Sequence, residues 1–273
     1  MQFYKHELDV NGVRVPLRCY IPLVPPRAHF QTNRPAVIVF PGGGYSHTYE
    51  GEAEPIALEY LSAGMCAFVL NYSVYPARFP QALLEALSAI RYVREHAAEF
   101  AIDPHRISVC GFSAGGHLAA CTGTLWNHAC LDGLLEGERA LYRPDALILS
   151  YPVINPLHRG SFLNLFDKKE EELTPVRIEL LSLENQVSGD TPPTFLWHNS
   201  DDGAVPCECS LVFALALHRN RIPFELRIYG KGGHGTCLAN YVTNEIAPEE
   251  TLPCNEWVQE SVRFLLKLGS EQV

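Results

Sequence analysis

No apolar run in this sequence approaches the roughly 20 residues that a membrane-crossing helix requires. Runs such as Met65 to Leu70 and Ala146 to Leu149 are far shorter. A basic cluster is equally lacking. The 21 lysines and arginines are scattered among 31 acidic residues, for a formal net charge of −10. That balance excludes a protein whose affinity comes from neutralising phosphates, and with it a nucleic-acid partner. The opening MQFYKHELDV has charges at Lys5, Glu7 and Asp9 and none of the apolar stretch of a signal peptide. Nine cysteines include no second pair at metal or redox spacing beside Cys207 and Cys209, and Cys66, Cys110 and Cys121 sit in apolar segments. Reduced, buried thiols in a cytoplasmic protein without membrane contact are therefore the expectation. No period of 20 to 50 residues occurs, so solenoids and propellers are set aside.

What is present suits a large core. The chain has 273 residues and is 47% hydrophobic, which excludes disordered and low-complexity classes. Short β-rich runs alternate with helical segments: Ala36 to Phe40, Cys66 to Asn71, Ile107 to Cys110, Ala146 to Ser150, Thr194 to His198 and Phe224 to Tyr229. Such alternation predicts an α/β fold with a mostly parallel sheet covered by helices on both faces. Between strands, residues 80 to 99 place Leu83, Leu87, Ile90 and Ala97 on one helical face, with Arg91, Arg94 and Glu95 on the other. A closing helix is expected from the N-cap Asn255 to Leu268, with Val258, Val262 and Leu265 inward and Gly269 as its stop. Asn11-Gly12 separates two extended runs and predicts an antiparallel hairpin at the sheet edge. The expected organisation is one domain over 1–273. Residues 155–193, which lack a clean pattern, form an excursion able to cover a site as a lid or cap.

Gly111-Phe112-Ser113-Ala114-Gly115 matches G-x-S-x-G, follows an expected strand and opens a small-residue helix start. In that setting a serine sits on a strained strand-to-helix bend with its hydroxyl held out for attack. Ser113 is the candidate nucleophile, against the plainer reading of a helix N-cap. A serine needs a base to take its proton and an acid to orient that base. The strand ending at His198 runs into Asn199-Ser200-Asp201-Asp202, and the next runs into Gly230-Lys231-Gly232-Gly233-His234-Gly235. The order serine, acid, histidine therefore selects His234 as base and Asp202 as acid, the latter by its D-x-x-V-P setting. Asp201 reads as a turn or cap residue, His117 as packing and His198 as a structural partner of the acid; His96, His105 and His218 have no motif around them.

Pro41-Gly42-Gly43-Gly44-Tyr45 follows the first parallel strand, where an oxyanion loop belongs. The N–H groups of Gly43 or Gly44, with that of Ala114, are the expected donors to a developing negative oxygen. A phosphate-binding glycine loop is disfavoured, since the P-loop ending and the dinucleotide spacing are both missing. Tyr45, Tyr75, Phe112, Trp126 and Trp197 could wall a pocket, although aromatics in such a fold are more often core.

With PGGGYSH, NYSVYP, the run from RFPQALLEAL to GFSAGGHLAA, TPPTFLWHNSDDGAVP and FELRIYGKGGHG, the chain resembles the α/β-hydrolase superfamily over about residues 35 to 268. Within it the resemblance is to bacterial acetyl esterases related to acetylxylan esterases. It implies a serine esterase with a Ser113–His234–Asp202 triad, acting without metal or organic cofactor on small acyl esters, often acetyl groups on plant oligosaccharides, and as a homodimer. Pro41 departs from the histidine that many relatives carry before the three glycines. Two other readings share the residues: an arylformamidase or small peptidase of the same fold, and a non-catalytic binding protein on a hydrolase scaffold.

Overall fold

The computed structural model describes residues 1–23, 33–156 and 159–270. The chain opens with an antiparallel hairpin, β1 (Gln2–Val10) and β2 (Val13–Ile21). Its two-residue turn puts Asn11 at φ 56° and Gly12 at φ 81°. Those positive angles belong to the hairpin turn whose twist matches its strands, which is why Asn-Gly is chosen there. Then come β3 (Arg34–Phe40), α1 (Glu54–Ser62), β4 (Cys66–Leu70), α2 (Gln81–Glu95), α3 (Ala97–Phe100), β5 (Ile102–Phe112) and α4 (Ala114–Thr124). β6 (Ala146–Ser150) is separated from β7 (Thr194–Asn199) by α5 (Arg159–Asn164) and α6 (Pro175–Leu181). The chain closes with α7 (Glu208–Arg219), β8 (Phe224–Tyr229) and α8 (Trp257–Ser270).

The eight strands form one sheet in the order β1-β2-β4-β3-β5-β6-β7-β8. From β4 onward in that order, neighbours are parallel; the hairpin joins antiparallel through β2 and β4. Side chains alternate across the central strands, and both faces are apolar because both are covered. Ile38, Val109, Leu149 and Leu196 face one core with α2, α4 and α7, while Val39, Cys110, Ile148 and Trp197 face another with α1 and α8. In the second core Trp197 stacks on Trp257, ring centroids 5.1 Å apart.

Two expected helices are redrawn. The single helix over 80 to 99 breaks at His96, whose φ of −100° and ψ of 13° separate α2 from α3, and Ala101 ends the second piece in a left-handed conformation. The closing helix starts at Trp257 rather than after Asn255, and Gly269 lies inside it. A Cβ on Gly269 would stand 2.5 Å from the Arg106 guanidinium carbon. The glycine thus makes room for a packed arginine and does not stop the helix.

Because β3 and β5 are neighbours, the loop after β3 lies beside the turn after β5. The segments after β6, β7 and β8 emerge along the same edge, which is where open parallel sheets assemble their sites.

Candidate active site

Ser113 stands between β5 and α4 at φ 52° and ψ −116°, a strained conformation for a residue with a side chain. The bend is held by its own backbone: the Ser113 N–H donates to the Ser150 carbonyl at 3.0 Å, and its carbonyl accepts from the His117 and Val153 N–H groups. The flanking glycines have a steric cause. A Cβ on Gly111 would meet the Gly115 carbonyl oxygen at 2.1 Å, and one on Gly115 would meet that of Phe40 at 2.1 Å. Helix α4 can cross β3 and β5 this closely only with hydrogen at both positions.

The loops after β7 and β8 bring the other two candidates to Ser113. His234 Nε2 lies 2.9 Å from Ser113 Oγ, and His234 Nδ1 lies 2.7 Å from Asp202 Oδ2. The tautomer satisfying both bonds has Nδ1–H donating to the carboxylate and Nε2 accepting from the hydroxyl. Asp202 Oδ1 also accepts the N–H groups of Ala204 and Val205, each at 2.9 Å. The fully buried His198 places Nε2 at 3.2 Å from Asp202 Oδ2 and 3.0 Å from the Val205 carbonyl, with Nδ1 at 2.8 Å from the Ser210 hydroxyl. Burial pushes the Asp202 carboxyl up, but the hydrogen bonds from His198, His234 and Val205 outweigh it and hold the group well below the usual carboxylate range.

Two residues shape the histidine loop without touching the imidazole. Asp201 Oδ1 accepts the N–H groups of Gly232 and Gly233 at 2.9 and 2.8 Å. Asn199 donates to the Gly233 carbonyl at 2.9 Å and packs where a Cβ on Gly232 would fall. Asp201 is thus a cap residue in geometry as well as in sequence, whereas nothing around Asn199 in the sequence flagged it.

In the glycine loop, Gly43 adopts φ 127° and Gly44 φ 62°, conformations that favour glycine. The Gly43 carbonyl turns back to accept from the N–H groups of Ser46 and His47. No residue among those described accepts a hydrogen bond from the N–H of Gly43, Gly44 or Ala114. The preceding Pro41–Gly42 peptide is gripped at both ends: the Tyr72 hydroxyl donates to the Pro41 carbonyl at 2.6 Å, and the Gly42 N–H donates to Glu52 Oε2 at 2.7 Å. The order these contacts give is independent of any side chain at position 41. Glu52 lies in a short turn with no motif around it, and its role was not legible in the sequence.

Gly43, Gly44, His47, Tyr49, Glu52, Ser113, Ser161 and His234 are among the residues that line a cavity of about 300 Å³. None of the five aromatics considered as wall residues lines it. Tyr45, Phe112 and Trp197 are buried in the core, and the rings at the cavity are those of His47, Tyr49 and His234. His117 likewise belongs to the core: its Nδ1 accepts from the Tyr45 hydroxyl, its Nε2 donates to the Leu181 carbonyl, and burial lowers its pKa to about 4, leaving it neutral. The 155–193 excursion reaches the site through Ser161 and through Asn164, which donates to the Gly44 carbonyl at 2.8 Å. Among the described residues, no helix is long and apolar enough to cross a membrane, and no group of three or more histidine, cysteine, aspartate or glutamate side chains could hold a metal ion.

A profile of the BD-FAE family matches residues 23–217. Endo-1,4-beta-xylanase B of Butyrivibrio fibrisolvens is 36% identical over 217 residues, 76% of this chain and 33% of that protein. The acetylxylan esterase of Xylanibacter ruminicola is 31% identical over 210 residues, 73% of this chain and 40% of the relative. The chain therefore spans well under half the length of these curated relatives. Among solved structures, an acetyl ester-xyloside bifunctional hydrolase from Caldicellulosiruptor lactoaceticus has a TM-score of 0.80 at 41% identity, with 95% of this chain and 90% of that one covered.

Proposed function

The chain belongs to the BD-FAE family on an α/β-hydrolase fold, and from that premise we propose that it is a serine carboxylesterase. The observation that carries this reading is the continuous hydrogen-bonded series from Ser113 through His234 to Asp202 in the wall of a cavity. In the proposed reaction Ser113 Oγ attacks the ester carbonyl as its proton passes to His234 Nε2. Asp202 holds the tautomer and balances the imidazolium. The N–H groups of Gly43, Gly44 and Ala114 are assigned to the carbonyl oxygen as it becomes negative, where each donor contributes about 2.7–4 kcal/mol. Collapse expels the alcohol, which takes the proton from His234. Water then attacks the acyl-serine and gives its proton to His234, and collapse releases the acid as Ser113 Oγ takes that proton back.

We assign acetyl esters of xylo-oligosaccharides as the substrate class, on the kinship with an acetylxylan esterase and an acetyl ester-xyloside hydrolase. One hydrolase unit over 1–273, with the 155–193 excursion walling the substrate beside Ser161, completes the proposal. The test is a panel of p-nitrophenyl acetate, acetylated xylo-oligosaccharides, formyl amides and dipeptide amides, run with wild type and Ser113→Ala. Acetyl ester turnover that Ser113→Ala abolishes is expected. Amide turnover without acetyl ester turnover would move the chain to a different hydrolase class. Failure of a fluorophosphonate to label Ser113 would leave only a binding role.

A further inference from the structure

A buried carboxylate is costly, and it persists where its hydrogen bonds have a task. Glu52 is such a group. It is 3% exposed, and burial pushes its carboxyl up against the opposing pull of the Tyr151 and Gly42 hydrogen bonds and of His234. Its partners lie on different segments of the site. Oε2 accepts the Gly42 N–H, one residue before the first proposed oxyanion donor, and Oε1 accepts the Tyr151 hydroxyl at 2.7 Å. That hydroxyl in turn accepts the Cys237 N–H at 3.2 Å, three residues past His234, and the Tyr151 ring meets the His234 ring edge-on with centroids 5.0 Å apart.

We propose that Glu52 is a positioning residue that fixes the oxyanion loop relative to the histidine loop. The inference rests on the esterase reading above. Tyr72 holds the carbonyl and Glu52 the N–H of the Pro41–Gly42 peptide, and the Tyr49 N–H donates to the Gly42 carbonyl at 3.0 Å, so the peptide that carries the Gly43 N–H is fixed between this clamp and Tyr49. Through Tyr151 the same carboxylate ties the clamp to the backbone that carries the base. Glu52 touches no reacting atom. Its effect falls on stabilisation of the tetrahedral intermediate, not on binding of the planar ester.

The experiment measures kcat, KM and the affinity of a methyl boronic acid, a tetrahedral mimic, for Glu52→Ala, Glu52→Gln and Tyr72→Phe, beside thermal melts. Removal of one oxyanion donor costs about 10²–10³ in kcat. Glu52→Ala should approach a loss of about 100-fold in kcat and in boronate affinity, with KM within about threefold. Glu52→Gln, whose amide oxygen can still accept from Gly42, should recover at least tenfold of that loss. A folded Glu52→Ala enzyme with kcat and boronate affinity within threefold of wild type overturns the proposal, as does a kcat loss matched by an equal rise in KM. If Glu52→Ala does not fold, Tyr72→Phe deletes only the other bond of the clamp; the same split in that variant supports the proposal, and wild-type behaviour overturns it. An inactive wild type would instead count against the esterase reading.

Discussion

Replacing Asp202 with asparagine tests the charge relationship at the centre of the site with almost no change of shape. The carboxylate accepts four hydrogen bonds: Oδ1 takes the N–H groups of Ala204 and Val205, and Oδ2 faces His234 Nδ1 and His198 Nε2. In Asp202→Asn the amide oxygen must serve the two backbone donors, which have no other acceptor. The amide nitrogen then faces both histidines. It can only donate to His234 Nδ1, so the ring proton moves to Nε2 and points at Ser113 Oγ, leaving no base for the hydroxyl. In the proposed mechanism the imidazolium that forms during attack also loses its counter-charge. A wrong tautomer of this kind costs about 10⁴ in kcat, or about 5 kcal/mol of transition-state stabilisation. His198 loses one acceptor but keeps the Val205 carbonyl, so the fold should persist. Initial rates on p-nitrophenyl acetate with Asp202→Asn, checked by circular dichroism, should show the kcat loss with KM within a few-fold. A folded variant retaining more than a tenth of wild-type kcat would refute the assignment of Asp202.

Two further predictions concern stability. The folded-state pKa of Asp202 is depressed, so its contribution is complete above the unfolded value of about 4 and is lost as pH falls through the lower folded value. Denaturant unfolding from pH 3 to 7 should therefore show the gap between wild type and Asp202→Asn steady from pH 7 to about 5 and narrowing below about 4; a gap that widens in acid would contradict the direction. Gly115→Ala sets a Cβ 2.1 Å from the Phe40 carbonyl oxygen, and overpacking against backbone should cost about 1–3 kcal/mol or more in urea midpoints and displace Ser113. An unchanged midpoint with full activity would show that α4 is not held as closely as described.

What could be read in advance followed from local causes. The bounds of Ala146–Ser150 and Phe224–Tyr229 match because an apolar run in the first and an alternating one in the second meet turn residues at both ends. Asn11-Gly12 works for the same reason, since its backbone angles are a property of two residues. Ile102–Phe112 extends well before its expected start, because Ile102 joins the sheet opposite Arg34 across a register shift that no run of residues announces. The break at His96 has neither glycine nor proline to mark it. Helices α5 and α6 have six and seven residues, too few for a periodic pattern to emerge. At the site, Ser113, Asp202 and His234 are flanked by glycines or turn residues at strand ends and could be singled out. Glu52, Tyr151, Asn199 and Asn164 act through contacts between segments distant in sequence, so their neighbours carry no sign of the task.

Asp201 and Asp202 are adjacent and chemically identical, yet one folds a peptide segment and the other steadies a ring. Such a division of labour is indexed by position along the chain. A single insertion or deletion between Asn199 and Gly203 would shift the two carboxylates out of their places, so the tip at 200–203 is closed to length variation even though point changes at the exposed Ser200 should be tolerated. Homologous loops grafted here to alter the catalyst would have to be matched in residue count before anything else about them mattered.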